Sequence, residues 1–84
     1  MSPPERALVD YIVREIMRRP AAVVDLDTPL VSSGLIDSLS LVDILVKLED
    51  VTGRRIAPGR VQPRDMDTVR LMFATAERVG LERR

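Results

Sequence analysis

The sequence predicts an all-α fold, a four-helix bundle made of three main helices and one short one. Three observations point there. Apolar residues recur at helical spacing in three separate segments. Each segment is bounded by helix start and stop residues. No stretch sustains the period-two alternation of a strand. At 84 residues the chain has room for one small domain, spanning 1–84. Tyr11 and Phe73 are its two aromatic residues, so the core must be aliphatic.

The first helix begins at Ser2-Pro3-Pro4-Glu5. Ser2 can cap it, the prolines suit its first turn, and Glu5 stands three residues beyond the cap. Leu8, Ile12 and Ile16 follow at four-residue spacing with Tyr11 beside them. Arg18 and Arg19 suit a C-terminal dipole, and Pro20 stops the helix. Residues 20–37 read as a long connection rich in turn formers, Asp25, Asp27, Thr28, Pro29, Ser32, Ser33 and Gly34. Val24, Leu26, Leu30 and Leu35 are expected to pin it to the helices.

The second helix is expected from about Ser38 to Thr52, capped by Asp37 and ended by Gly53. Leu41, Ile44, Leu45, Leu48 and Val51 form a core stripe. Leu39, Val42 and Val46 form a second apolar line on another side. A helix apolar nearly all round is buried or faces a partner, and so small a domain cannot bury it entirely. The Leu39, Val42 and Val46 side is therefore expected to be a docking surface. The alternative is that some of these residues pack under the long loop, Val42 first. Residues 53–67 form another connection, with Ile56 and Val61 reaching the core and Pro63 opening a short helical turn. Asp67 or Thr68 caps the last helix, which turns Val69, Met72, Phe73, Ala76 and Val79 inward. Gly80 ends it, and Leu81-Glu82-Arg83-Arg84 is expected to fray.

Composition excludes several kinds of chemistry. The chain has neither Cys nor His, which leaves no disulfide, no thiolate metal site and no His general base. No catalytic residue and no metal site is expected, nor is the Gly-x-Ser-x-Gly elbow of a serine hydrolase present. Thirteen Lys and Arg balance thirteen Asp and Glu, which argues against a nucleic-acid binder. No apolar run has signal-peptide or membrane-span character. A cytoplasmic monomer is the expectation.

The informative segment is Gly34-Leu35-Ile36-Asp37-Ser38-Leu39, which follows the long loop and opens the most apolar helix. Asp-Ser before an apolar helix is by itself a common cap. Taken with the rest of the chain, the segment resembles the hallmark of the acyl and peptidyl carrier proteins, Gly-x-x-Asp-Ser-Leu at the start of the second helix. Leu45-Val46-Lys47-Leu48-Glu49-Asp50, Ile56 and Asp65-Met66-Asp67-Thr68-Val69 extend the resemblance over essentially the whole chain.

The resemblance implies that Ser38 takes a covalent 4′-phosphopantetheine arm from coenzyme A, delivered by a separate phosphopantetheinyl transferase with Mg²⁺. It further implies an acyl or aminoacyl thioester on that arm, a loading ligase, and downstream synthase or transferase enzymes. The chain would then be their substrate and not itself an enzyme. Asp37 either caps the helix or orients the transferase. Asp43, Glu49 and Asp50 either meet basic patches on partners or form a solvated face.

The sequence departs from the acidic fatty-acid carriers. Its net charge is zero, Lys47 interrupts the acidic residues, and Arg54, Arg55, Arg60 and Arg64 cluster between residues 53 and 64. Thr52 and Arg54 stand where the family often has an aromatic and an apolar residue, so thinner packing is expected at the end of the second helix. The spacing is closer to aminoacyl and peptidyl carriers, D-alanine carriers included. A freestanding carrier in polyketide or nonribosomal peptide assembly is the main expectation. A carrier-like interaction scaffold that is never modified is the alternative.

Overall fold

A computed structural model describes residues 1–82. Three α-helices, α1 (Pro3–Tyr11), α2 (Ser40–Thr52) and α3 (Val69–Val79), pack around one core. Short 3₁₀ turns at Pro58–Arg60 and Pro63–Met66 join α2 to α3. The second of them is the expected short helix of the bundle. Two residues after α2, β1 (Arg54–Arg55), pair antiparallel with two after α3, β2 (Leu81–Glu82).

The capping box at the start of α1 is formed. Ser2 N–H donates to Glu5 Oε1 at 2.7 Å, and Glu5 N–H donates to Ser2 Oγ at 3.4 Å. The α-helical hydrogen bonding ends at Tyr11, short of the expected Arg19. A π-helical turn over Ile12–Ile16 carries the chain on, and Arg18 then adopts a left-handed φ of 55°. Val9 and Val13, absent from the expected stripe, are buried beside Leu8 and Ile12.

The α2 stripe is as expected, with Ile44, Leu45 and Leu48 buried and Leu41 and Val51 half-buried. Gly53 ends the helix at φ 67°, a left-handed conformation that costs a glycine little. Thr68, not Asp67, caps α3, its side chain accepting the Leu71 N–H at 3.1 Å. Val69, Met72 and Ala76 are buried as expected, while Phe73 and Val79 are half-buried. Ile56 is buried and Val61 half-buried.

The long connection is part of the core. Val24, Leu30 and Ile36 are buried and Leu26 is half-buried. Leu35, expected to pin the loop, is instead 39% exposed, and its neighbour Ile36 takes the buried place. The segment Leu81–Glu82 is not frayed, because it pairs with Arg54–Arg55; residues 83 and 84 lie outside the described residues. An open cleft lined by Val51, Thr52, Arg54 and Phe73 marks the thin packing expected at the end of α2. Among the described residues, no helix is long and apolar enough to cross a membrane.

Candidate functional site

The segment Gly34–Leu39 leads from the loop into α2. Gly34 holds a φ of 80°, the left-handed region that disfavours side chains. Space is not the constraint, because a Cβ there would meet no atom within 4 Å. Ile36 N–H donates to the Leu30 carbonyl at 3.0 Å, closing the loop on itself just before the site.

Asp37 performs the capping role weighed for it. Its Oδ1 accepts the Ser40 N–H at 2.8 Å. That N–H above all, with the Ser40 hydroxyl next, holds the Asp37 carboxyl below its ordinary value. The α-helical ladder begins at Ser40, two residues after the expected start. Leu39 already has helical dihedrals, φ −70° and ψ −33°, and the Leu41 N–H reaches the Ser38 carbonyl at 3.3 Å in a tighter turn. Ser38 therefore sits in the tight turn that leads into α2, and it is exposed.

Leu39, Val42 and Val46 are exposed by 84%, 63% and 60%. Val42 does not pack under the long loop, so that alternative fails. Leu35 joins them as an exposed aliphatic ahead of Ser38. Beside Val42 an apolar groove runs between α2 and the following connection, lined by Leu41, Leu45, Pro58, Val61, Pro63 and Met66. Sequence reasoning missed this groove, because its two walls are distant in the chain and share no pattern.

The acidic residues of α2 divide. Asp43 is exposed. Asp50 lies 3.7 Å from Lys47, whose ammonium also stands 5.7 Å from the centre of the Tyr11 ring. Glu49 turns inward, its Oε2 accepting the Ile56 N–H at 2.7 Å, so it does not serve as a free surface charge. Arg55, Arg60 and Arg64 are exposed. Among the described residues no cluster of carboxylates could hold a metal ion.

The arrangement suits a covalently tethered phosphate group. Ser38 offers an exposed primary hydroxyl at the N-terminus of a 13-residue helix, where the dipole favours an anion. The neighbouring Asp37 carboxylate is occupied by the Ser40 N–H.

Comparison with known proteins agrees. A family described as "Phosphopantetheine attachment site" matches residues 7–72. The D-alanyl carrier protein of Abiotrophia defectiva is 39% identical over 70 residues, covering 83% of this chain and 77% of that protein. No solved structure matches. The helical bundle, the loop-to-helix junction and the family match converge: the chain belongs to the phosphopantetheine-attachment-site family and is a carrier protein whose covalently bound group is 4′-phosphopantetheine.

Proposed function

We propose that Ser38 is the attachment point of the phosphopantetheine arm and that the cargo is an aminoacyl group, with D-alanine the first candidate. The observation that carries the attachment is the exposure of Ser38 at the junction just ahead of α2, beside the Asp37 cap. In this reading Ser38 Oγ bonds to the coenzyme A phosphorus that bears the pantetheine arm, the pyrophosphate P–O bond of coenzyme A breaks with adenosine 3′,5′-bisphosphate as leaving group, and the hydroxyl proton leaves to a base of the transferase. Once bound, the arm supplies the thiol that holds cargo as a thioester, which suits a chain without Cys. The protein binds, presents and releases; its partner enzymes supply the catalysis. Those partners are a phosphopantetheinyl transferase, an aminoacyl-loading ligase and a downstream synthase or transferase.

The cargo reading draws on the name of the 39% identical relative and on the charge of α2. With Glu49 turned inward and Asp50 beside Lys47, α2 lacks the acidic face that fatty-acid synthesis enzymes expect. We place the protein in an aminoacyl-carrying assembly of the nonribosomal peptide type, working in the cytoplasm.

The test is incubation with coenzyme A, Mg²⁺ and a promiscuous phosphopantetheinyl transferase, read by intact-protein mass. A gain of one phosphopantetheine in the wild type, absent from Ser38→Ala, is the expected result. No gain under conditions that load a known carrier sinks the attachment. Mass spectrometry of the protein from its native host then reads the cargo, and a non-amino acyl group there rules out the aminoacyl reading.

A further inference from the structure

The Leu30–Ser32 part of the loop that delivers Ser38 is tied to the start of α3 by one residue, Asp67. The N–H groups of Leu30, Val31 and Ser32 are consecutive, and all three donate to Asp67. Leu30 reaches the Asp67 carbonyl at 2.7 Å; Val31 and Ser32 reach its Oδ1 at 2.9 and 2.8 Å. The Ser32 hydroxyl adds a bond to Oδ2 at 2.9 Å. Asp67 directly precedes Thr68, the cap of α3, so the backbone of that helix sets its position.

The constraint passes along the chain to the site. The Leu30 carbonyl accepts the Ile36 N–H at 3.0 Å, and the Ile36 side chain is buried. Asp37 follows and caps α2, and Ser38 is next. The Asp67 carboxyl is held below its ordinary value, chiefly by the Ser32 N–H, and so stays an anionic acceptor at neutral pH. A second tie, between Asp27 and Arg70 at 2.7 and 3.1 Å, secures the loop further upstream.

We propose that Asp67 is a positioning residue for modification of Ser38: its carboxylate holds the Leu30–Ile36 turn against α3 and thereby places the hydroxyl that the transferase must reach. This rests on Ser38 being the attachment point. A long loop without its anchor samples many conformations, and the transferase must then order it at each encounter. The effect falls on KM, because the fraction of molecules presenting Ser38 productively drops while the step at saturation is unchanged.

The experiment loads wild type, Asp67→Ala, Asp67→Ser, Asp67→Asn and Arg70→Gln with coenzyme A through a promiscuous transferase. Intact mass gives kcat and KM, far-UV circular dichroism gives helix content, and hydrogen exchange follows the Val31 and Ser32 amides. Asp67→Ala should raise KM about tenfold with kcat little changed, and the two amides should lose protection while helix content stays. Asp67→Asn keeps an oxygen for both N–H groups and should recover most of the loss. Arg70→Gln should stay near wild type. Asp67→Ser, too short to span both N–H groups but suited to the start of a helix, should match Asp67→Ala and decides the matter if the alanine variant does not fold. A wild-type KM in folded Asp67→Ala or Asp67→Ser overturns the proposal, and so does an equal rise in Arg70→Gln, which would mean general loosening. A wild type that fails to load overturns both this and the Ser38 assignment; a wild type that loads beside an unaffected Asp67→Ala overturns the positioning role alone.

Discussion

The Glu49 carboxylate accepts the Ile56 N–H at 2.7 Å, folding a side chain of α2 back onto the segment that follows it. The bond spans the Gly53 turn and leads directly into the buried Ile56 side chain. A partly buried N–H that loses a charged acceptor costs more than an ordinary surface bond. Glu49→Ala should therefore destabilise the fold by about 1–2 kcal/mol, with Glu49→Gln retaining part of it. Urea denaturation measures the change, and a midpoint equal to wild type for Glu49→Ala would show that the bond contributes nothing.

The long loop should behave as core at one leucine and as surface at another. Leu30 is fully buried, and Leu30→Ala removes packed methyl groups and leaves a cavity, at about 2–5 kcal/mol. Leu35, 39% exposed, should change stability by less than about 0.5 kcal/mol when truncated to alanine. Paired thermal melts of the two variants check this, and equal losses would contradict the burial.

The exposed line on α2 makes a different prediction, because its residues contribute little to the fold. Leu39→Asp and Val46→Asp should melt close to wild type, since neither side chain is buried. If this face meets the partner enzymes, both variants should load with a higher KM for the carrier, by about tenfold for a residue central to the contact. Steady-state loading kinetics beside thermal melts separate the two effects. Unchanged KM in both variants would remove Leu39 and Val46 from the docking surface.

Acid should loosen the loop before it melts the helices. The carboxyls of Asp37 and Asp67 lie below their ordinary values because backbone N–H groups donate to the charged forms. As pH falls, the unfolded chain therefore takes up these protons first. The stability they contribute is present above about pH 4 and is lost as pH drops through the lowered folded values. With no histidine in the chain, stability should stay nearly flat between about pH 5 and 8. Denaturation followed from neutral to acid pH should show that flat region and then a fall, and Asp67→Asn should make the fall shallower. A slope near pH 6.5 would count against this account.

Most of the local structure was legible in the sequence because it depends on neighbours in the chain. The Ser2–Glu5 capping box, the Gly53 stop and the buried Ile44, Leu45 and Leu48 follow from residue type and helical spacing. So does the division of α2 into a buried stripe and the exposed Leu39, Val42 and Val46. The misreadings share one cause. The burial of Val9 and Val13, the exchange of Leu35 for Ile36, the pairing of Leu81–Glu82 with Arg54–Arg55 and the inward turn of Glu49 all depend on contacts that form only when the chain folds back on itself.

The sequence by itself determined that this is a helical carrier with an Asp-Ser-Leu junction opening its second helix, because caps, turn formers and apolar periodicity act over a few residues. Tertiary structure alone decided how that junction is held. Asp67 reads from sequence as a possible cap for α3, yet its carboxylate bonds to Val31 and Ser32, residues 36 and 35 positions away. No local pattern marks such a bond, because a carboxylate finds its N–H partners only after the packed helices have brought the two segments together.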